Sequence, residues 1–364
     1  MVNNKVLVGM SGGVDSAAAA LLLKELGFAP AGCTLRLYDN EDIGEPAEGT
    51  CCSLEAVEAA RDTCRKLGID HFTFNFSDAF RRCVIDDFVS GYFSGKTPNP
   101  CIQCNRTVKF SALLQRADEL DFAYIATGHY ARVDFDRTSG RWRLLRGKDG
   151  RKDQSYFLYP LTQTQLSRLL LPVGEYEKPD IRRLAGAAGF GSAGRPDSQD
   201  ICFVPDGDYV GFLQRRGGQE LVPGDFVDEA GRVLGRHRGL PCYTIGQRRG
   251  LGVSAGRPLY VLRKDEKNNQ IVLGDEPRLY RRTVWAEGFH WVSLPPSEQP
   301  MPVSAKTRYS QTEAAGTLFP EAGGGVRVVF DTPQRAVTCG QSLVCYHAGL
   351  PELVVGGGVI CGAE

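Results

Sequence analysis

The chain has 364 residues, room for two or three domains, with 42% hydrophobic and 24% charged residues, the balance of a globular protein in water. No stretch approaches the roughly 20 apolar residues of a membrane-spanning helix, and the apolar part of MVNNKVLVGM is too short for a secretory signal, so the cytoplasm is the expected compartment and no membrane partner is expected. Forty-three basic and 43 acidic residues cancel, which leaves nucleic-acid binding only to local basic surface.

Elements follow in alternation. KVLVGM reads as a buried strand and Val14 to Leu26 as an Ala- and Leu-rich helix closed by Gly27. A strand over 31–37 leads into a polar loop over 38–50. Ser53 is placed to cap a helix carrying Leu54, Val57, Cys64 and Leu67 at helical spacing, ending at Gly68. HFTFNF reads as a strand, 78–92 and 107–120 as helices, and AYIATGH as a strand ending in a functional-looking edge. Repeated βα units imply a parallel sheet covered on both faces.

After about Asp208 glycine, proline and short alternating segments dominate. From about Arg282 the runs VWAEGFHWV, VSAKTRY, VRVVF, LVCYHAG and VVGGGVI read as strands that would close into a small barrel. The expected architecture is an α/β catalytic domain over 1–208, a small mixed central domain over 209–281 and a C-terminal β-barrel over 282–364.

Between the first strand and helix stands GMSGGVDS, formed by Gly9, Met10, Ser11, Gly12, Gly13, Val14, Asp15 and Ser16. Glycines let the backbone turn its N–H groups toward phosphate oxygens, and the helix N-terminus favours the same anion. Ser11 and Ser16 add hydroxyls, while Asp15 suits orienting the loop or holding magnesium. No Gly-Lys-Ser/Thr follows, so this is not a Walker A loop. SGGVDS resembles the loop of the pyrophosphatase-type adenylating enzymes, which implies ATP cleaved between its α- and β-phosphates to activate an oxygen as a leaving group.

TPNPCIQCN carries Cys101 and Cys104 behind Pro98 and Pro100, read as a stiff, extended segment just ahead of a helix whose N-terminus would acidify a thiol. Cys202 lies in DSQDICFVPDGDY. The chain has twelve cysteines; Cys33, Cys64 and Cys83 sit in apolar patterns and read as core. For the others, three readings stay open: structural zinc, which one CxxC pair does not complete; inert packing; and redox-active thiols, with Cys104 and Cys202 as the pair.

Six segments occur in order, TPNPxxxCN, ATGHYAR, KDQSYFLY, DxxxICF, TIGQRRGLG and KTRY. Together they closely resemble the bacterial tRNA-specific 2-thiouridylase family, over essentially the whole chain. The resemblance implies an adenine-nucleotide alpha-hydrolase-like (Rossmann-like) sheet domain and ATP-dependent 2-thiolation of the tRNA wobble uridine. It implies ATP and Mg2+ as cosubstrates, tRNAs for Lys, Glu and Gln as partners, and a persulfide donor such as a sulfur-relay protein or cysteine desulfurase. Position by position, Cys104 matches the nucleophile and Cys202 the persulfide carrier, expected to be joined as a disulfide after turnover. Gly9 to Ser16, Leu35 and Gly128 match nucleotide-binding positions. Asn99, Pro100 and Cys101 match the segment touching the target base, and Lys152, Asp153, Gln154, Arg308, Tyr309 and Gln341 match tRNA contacts.

Two positions depart from the family pattern. Cys101 stands where an acid–base aspartate is common, so that role is in doubt, and Cys101, Cys104 and Cys202 are candidate ligands of an iron–sulfur cluster. Leu35 stands where methionine is common, an apolar exchange. His129, after AYIATG, is either a tRNA contact or a loop-orienting side chain. Two basic runs, Arg141, Arg143, Arg146, Lys148, Arg151 and Lys152, and Arg248, Arg249, Arg257, Arg263, Lys264 and Lys267, are either phosphate contacts or solvated surface. The rival readings are an amide-forming synthetase using the same loop, and a non-enzymatic tRNA-binding or iron–sulfur scaffold.

Overall fold

A computed structural model describes residues 3–39, 54–194 and 201–364. The expected loop beyond Asp39 and the Ser53 cap lie outside these residues. Five parallel strands form the first sheet, in the order β3-β2-β1-β4-β7. They are β1 (Lys5–Gly9), β2 (Ala29–Arg36), β3 (His71–Asn75), β4 (Tyr124–Ala126) and β7 (Leu169–Leu170). Val6, Leu7 and Val8 of β1 are fully buried, as a central parallel strand with both faces covered requires. Helix α1 (Val14–Glu25) is buried through its alanines Ala17 to Ala20, whose small side chains let it lie close on the sheet. Helix α2 (Leu54–Leu67) is amphipathic, with Ala56, Ala60, Cys64 and Leu67 inward. Helix α3 (77–93) and helix α4 (100–119) each contain a π-type turn, Arg81–Ile85 and Asn105–Lys109.

The start of α4 corrects the sequence reading. Pro100 does not hold an extended segment: Asn99 is the N-cap, its side chain accepting from the Ile102 N–H at 3.4 Å, and Pro100 is the first helical residue. Proline is favoured there because that N–H has no helical partner in any case. Cys101 and Cys104 therefore lie within the helix and not ahead of it.

A hairpin, β5 (Ala131–Asp136) and β6 (Arg141–Arg146), leaves the parallel sheet. Helix α5 (Lys178–Ala187) packs on α1, and α6 (Tyr209–Gly217) leads into a four-stranded sheet ordered β10-β11-β8-β9. Its strands are β8 (Gly224–Val227), β9 (Val233–His237), β10 (Tyr260–Asp265) and β11 (Gln270–Gly274). The last six strands are β12 (Tyr280–His290), β13 (Met301–Lys306), β14 (Ala314–Pro320), β15 (Val326–Arg335), β16 (Ser342–His347) and β17 (Leu350–Ala363). They run β12-β15-β14-β13-β16-β17, and β12 pairs β17 to close a barrel without free edges. Strand β14, AAGTLFP, has too little branched or alternating character to be read as a strand in advance. The β5–β6 hairpin joins the barrel through Leu145 opposite Leu353, so the sheet-bearing half is stitched to the C-terminal one.

Candidate active site

Three parallel strands end at one edge, where ligand crevices of open α/β sheets form. From β1 the chain enters the Gly9–Ser16 loop. The Met10 N–H donates to the Cys33 carbonyl (2.7 Å) and the Thr34 hydroxyl to the Met10 carbonyl (3.2 Å), which ties the loop to β2. Gly12 has φ +71, and a β-carbon there would meet the Ala56 carbonyl oxygen at 2.4 Å; only glycine fits this turn against α2. Ser16, buried, donates its hydroxyl to the Gly13 carbonyl (3.1 Å) and accepts from the Ser11 N–H (3.2 Å). Its hydroxyl thus shapes the loop, while Ser11 is exposed. Gly13, the N-cap of α1, offers no side chain to the first helical N–H groups, which leaves them oriented for an anion.

Asp15 is committed elsewhere. The Lys178 ammonium donates to both its oxygens, at 2.7 and 2.8 Å, and the Tyr130 hydroxyl donates to Oδ1 at 2.8 Å. Sequence reasoning found neither partner. Its one signal was a lysine as the first residue of α5, where the helix dipole disfavours a cation. Gly128 lies against the same turn: a β-carbon there would sit 2.7 Å from the Asp15 carbonyl carbon. Next to it, the Thr127 hydroxyl and His129 Nδ1 are 2.7 Å apart, and the imidazole packs on Phe110 with ring centroids 5.6 Å apart. Burial, helped by the Lys109 charge, pushes the His129 pKa down to about 3, so the ring is neutral at physiological pH.

Beyond β2, Leu37 and Tyr38 enter a buried cluster with Phe80, Phe88, Phe203 and Phe212, with Leu35 packed against it. Cys104 belongs to this cluster and Cys202 packs against it, so residues 98 apart in sequence share one apolar cluster. Phe203 anchors the Cys202 segment, with ring centroids 5.7 Å from Phe80 and 5.3 Å from Phe88, and the Tyr38 hydroxyl donates to the Cys202 carbonyl at 2.7 Å. Cys104 is buried, Cys202 half-buried and Cys101 exposed on the same helix. The π-type turn begins immediately after Cys104, a helical irregularity frequent at functional sites.

The other candidate residues mostly find partners within the protein. Asp153 is buried and accepts from the Gly147 and Ser155 N–H groups and the Ser155 hydroxyl. Gln154 brackets Tyr130, accepting from its N–H (2.9 Å) through Oε1 and donating its own N–H to the Tyr130 carbonyl (2.8 Å). Arg308 donates to the Ala336 carbonyl (2.8 Å) and the Ile245 carbonyl (3.3 Å), bridging the barrel and the central sheet. It lines a cleft of about 500 Å³ with Tyr209, Thr244, Gln247 and Arg335. Gln341 donates to the Thr97 carbonyl at 2.7 Å, which ties the barrel to the cysteine-bearing segment. Tyr309 packs on Phe157, centroids 4.4 Å apart, at the surface, and Lys152 is half-buried.

Residues 4–206 match a family model described as tRNA methyl transferase HUP domain, 210–275 one described as tRNA methyl transferase PRC-barrel domain, and 281–360 one described as aminomethyltransferase beta-barrel domain. The tRNA-specific 2-thiouridylase of Acetivibrio thermocellus is 47% identical over 361 residues, 99% of this chain and 100% of its own length. That of Moorella thermoacetica is 48% identical over 357 residues, 97% and 98% of the two chains. The chain belongs to the tRNA-specific 2-thiouridylase family. A solved 4-thiouridine synthetase in complex with RNA and ATP aligns with 58% of this chain and 50% of its own, at 16% identity and a TM-score of 0.37.

The three parts of this 2-thiouridylase-family chain are a parallel-sheet Rossmann-like domain, a central PRC-barrel domain and a closed C-terminal β-barrel. An iron–sulfur cluster does not fit the thiols as they stand. Cys101 faces solvent while Cys104 is buried, and among the described residues no three His, Cys, Asp or Glu side chains converge at ligand spacing.

Proposed function

We propose that this enzyme 2-thiolates the wobble uridine of tRNA in an ATP-dependent reaction, with Cys104 and Cys202 as its working thiols. Family membership over the full chain supports the substrate and the reaction class. The observation that supports the assignment of residues is the shared cluster: Cys104 lies in it and Cys202 packs against it, together with Leu37 and Tyr38 just past the end of β2.

In this reading the triphosphate lies over the Gly9–Ser16 loop, its phosphates on the first N–H groups of α1, with Leu35 and Gly128 beside the nucleotide. Magnesium enters with ATP; the structure gives Asp15 to Lys178 and Tyr130, so Asp15 acts in orienting the loop. The flipped base enters against Asn99, Pro100 and Cys101. Its carbonyl oxygen on carbon 2 attacks the α-phosphate, pyrophosphate leaves, and the poor oxygen leaving group has become AMP. A persulfide on Cys202, filled by an external donor, supplies sulfur. In one route its terminal sulfur adds to carbon 2 and displaces AMP, and the Cys104 thiolate then attacks the Cys202 sulfur, freeing 2-thiouridine. In the other, Cys104 attacks first and releases hydrosulfide, which displaces AMP. Both routes leave a Cys104–Cys202 disulfide, which a thiol reductant reopens.

The test is nucleoside mass spectrometry of tRNA for Lys, Glu or Gln after incubation with Mg·ATP and a persulfide source. The expected product is 2-thiouridine at the wobble position. Cys104→Ser and Cys202→Ser should still release tRNA-dependent pyrophosphate yet form no thiolated base. Full thiolation by either serine variant would remove the assignment, and amide formation in its place would point to the synthetase chemistry of the same loop.

A further inference from the structure

A carboxylate in the loop that receives a triphosphate is a physical contradiction. Asp15 stands in the first turn of α1, whose free N–H groups are the anion site, and like charges within a Debye length of about 8–10 Å repel. The structure answers it with Lys178, 163 residues away in sequence. Its ammonium lies 2.7 and 2.8 Å from the two Asp15 oxygens, and the side chain is 8% exposed. Lysine at this place gains nothing from its own helix, since a cation at a helix N-terminus opposes the dipole. A lysine so buried also needs a counter-charge. The surrounding contacts hold it in place. The Lys178 N–H donates to buried Asp149 at 3.1 Å, the Tyr130 ring lies 5.5 Å from the ammonium, and Gly128 lets the β4 end close against Asp15.

We propose that Lys178 is a positioning residue for the nucleotide: it neutralises Asp15, so that the first turn of α1 accepts the phosphates of ATP without a competing negative charge. The inference rests on the ATP-dependent reading above. It is tested by calorimetric titration of the full-length protein with Mg·ATP, for wild type, Lys178→Met, Asp15→Asn and the double variant Lys178→Met/Asp15→Asn. Lys178→Met, which strands the Asp15 charge, should bind about tenfold more weakly than wild type, as expected for an unscreened charge near the ligand. Asp15→Asn sets its own reference affinity, and adding Lys178→Met to it should cost less than about threefold, because the charge that Lys178 answers is gone. The double variant buries no lone charge, so this second comparison reads even where Lys178→Met alone does not fold. Wild-type affinity in Lys178→Met, or a tenfold loss on adding it to Asp15→Asn, overturns the proposal, because Lys178 would then act on ATP itself or not at all. Absence of Mg·ATP binding by wild type would instead sink the ATP reading together with it.

Discussion

A β-carbon on Gly128 would stand 2.7 Å from the Ser16 nitrogen as well as from the Asp15 carbonyl carbon, both backbone atoms that cannot step aside. Gly128→Ala should therefore push the β4 end away from α1, at about 1–3 kcal/mol of stability. A thermal melt and an Mg·ATP titration check this: both the melting temperature and the affinity should fall, and wild-type values in both would show that the turn relaxes at no cost. His129 makes a second prediction at this scale. Its pKa falls from 6.5 in the unfolded chain to about 3 in the folded protein, so below pH 6.5 only the unfolded chain takes up the proton. The stability of the native state is complete above that pH and drains as the pH falls toward 3, by up to about 2 kcal/mol at pH 5. Burial lowers the pKa of His71 and His237 in the same direction. Denaturant melts at pH 7.5 and pH 5 should show the loss, and His129→Gln should shrink it. Residue types with one physical meaning were legible in advance, such as the glycines of the loop. Partnerships were not: Lys178 and Tyr130 reach Asp15 across 163 and 115 residues, and no local spacing announces such a pair.

At the scale of elements, the barrel reaches into the site through the 338–341 turn. The Thr97 N–H donates to the Cys339 carbonyl at 3.0 Å and the Gln341 side chain to the Thr97 carbonyl at 2.7 Å, so the residue two before the Asn99 cap is held from both sides. Gln341→Ala removes one of these bonds, which costs about 1 kcal/mol in stability. The expected functional effect is selective: less 2-thiouridine formed per pyrophosphate released, because the α4 start that carries Cys101 and Cys104 is loosened while the ATP loop is untouched. Equal losses in both products would place Gln341 on the substrate and not on the segment. Four of the five parallel strands and α1 could be read from the sequence because they are apolar runs bounded by turn residues; β7, only Leu169–Leu170, is too short to announce itself. The start of α4 is also legible, since Asn followed by Pro is a cap and a first helical residue; two prolines close together read as helix-breaking and mask it. Strand β5, ARVDFD, alternates apolar and polar residues and could also have been read, whereas β14 carries no such period. The hairpin is made by β5 and β6 pairing with each other, and β14 is a strand because β13 and β15 pair with it, a tertiary cause.

Across the whole molecule, the structure sorts basic residues that composition could only count. In the run 141–152, Arg143 pairs with Asp134 through two nitrogens at 2.8 and 2.6 Å, Arg146 with Glu313 at 2.9 Å and Lys148 with Glu175 at 2.9 Å, and Arg141 donates to barrel carbonyls. Those four side chains are spent within the hairpin or against its neighbours. In the second run Arg257 pairs with Asp275 at 2.5 Å, and burial pushes Lys264 down to about 8. Arg248 and Arg249, by contrast, are exposed between glycines and make no ion pair among the described residues. Arginines already paired in the free protein must break a bond to bind phosphate, whereas these two need only shed water and counterions. The double variant Arg248→Ala/Arg249→Ala should therefore weaken tRNA binding and flatten the dependence of log K on log salt by about 2, near one unit per phosphate contact. Lys148→Ala should leave that slope within experimental error of wild type. Filter-binding isotherms between low and moderate salt measure both. If the Arg248/Arg249 variant kept the wild-type slope, the exposed pair would be solvated surface after all, and the RNA path would have to be sought along another face of the molecule.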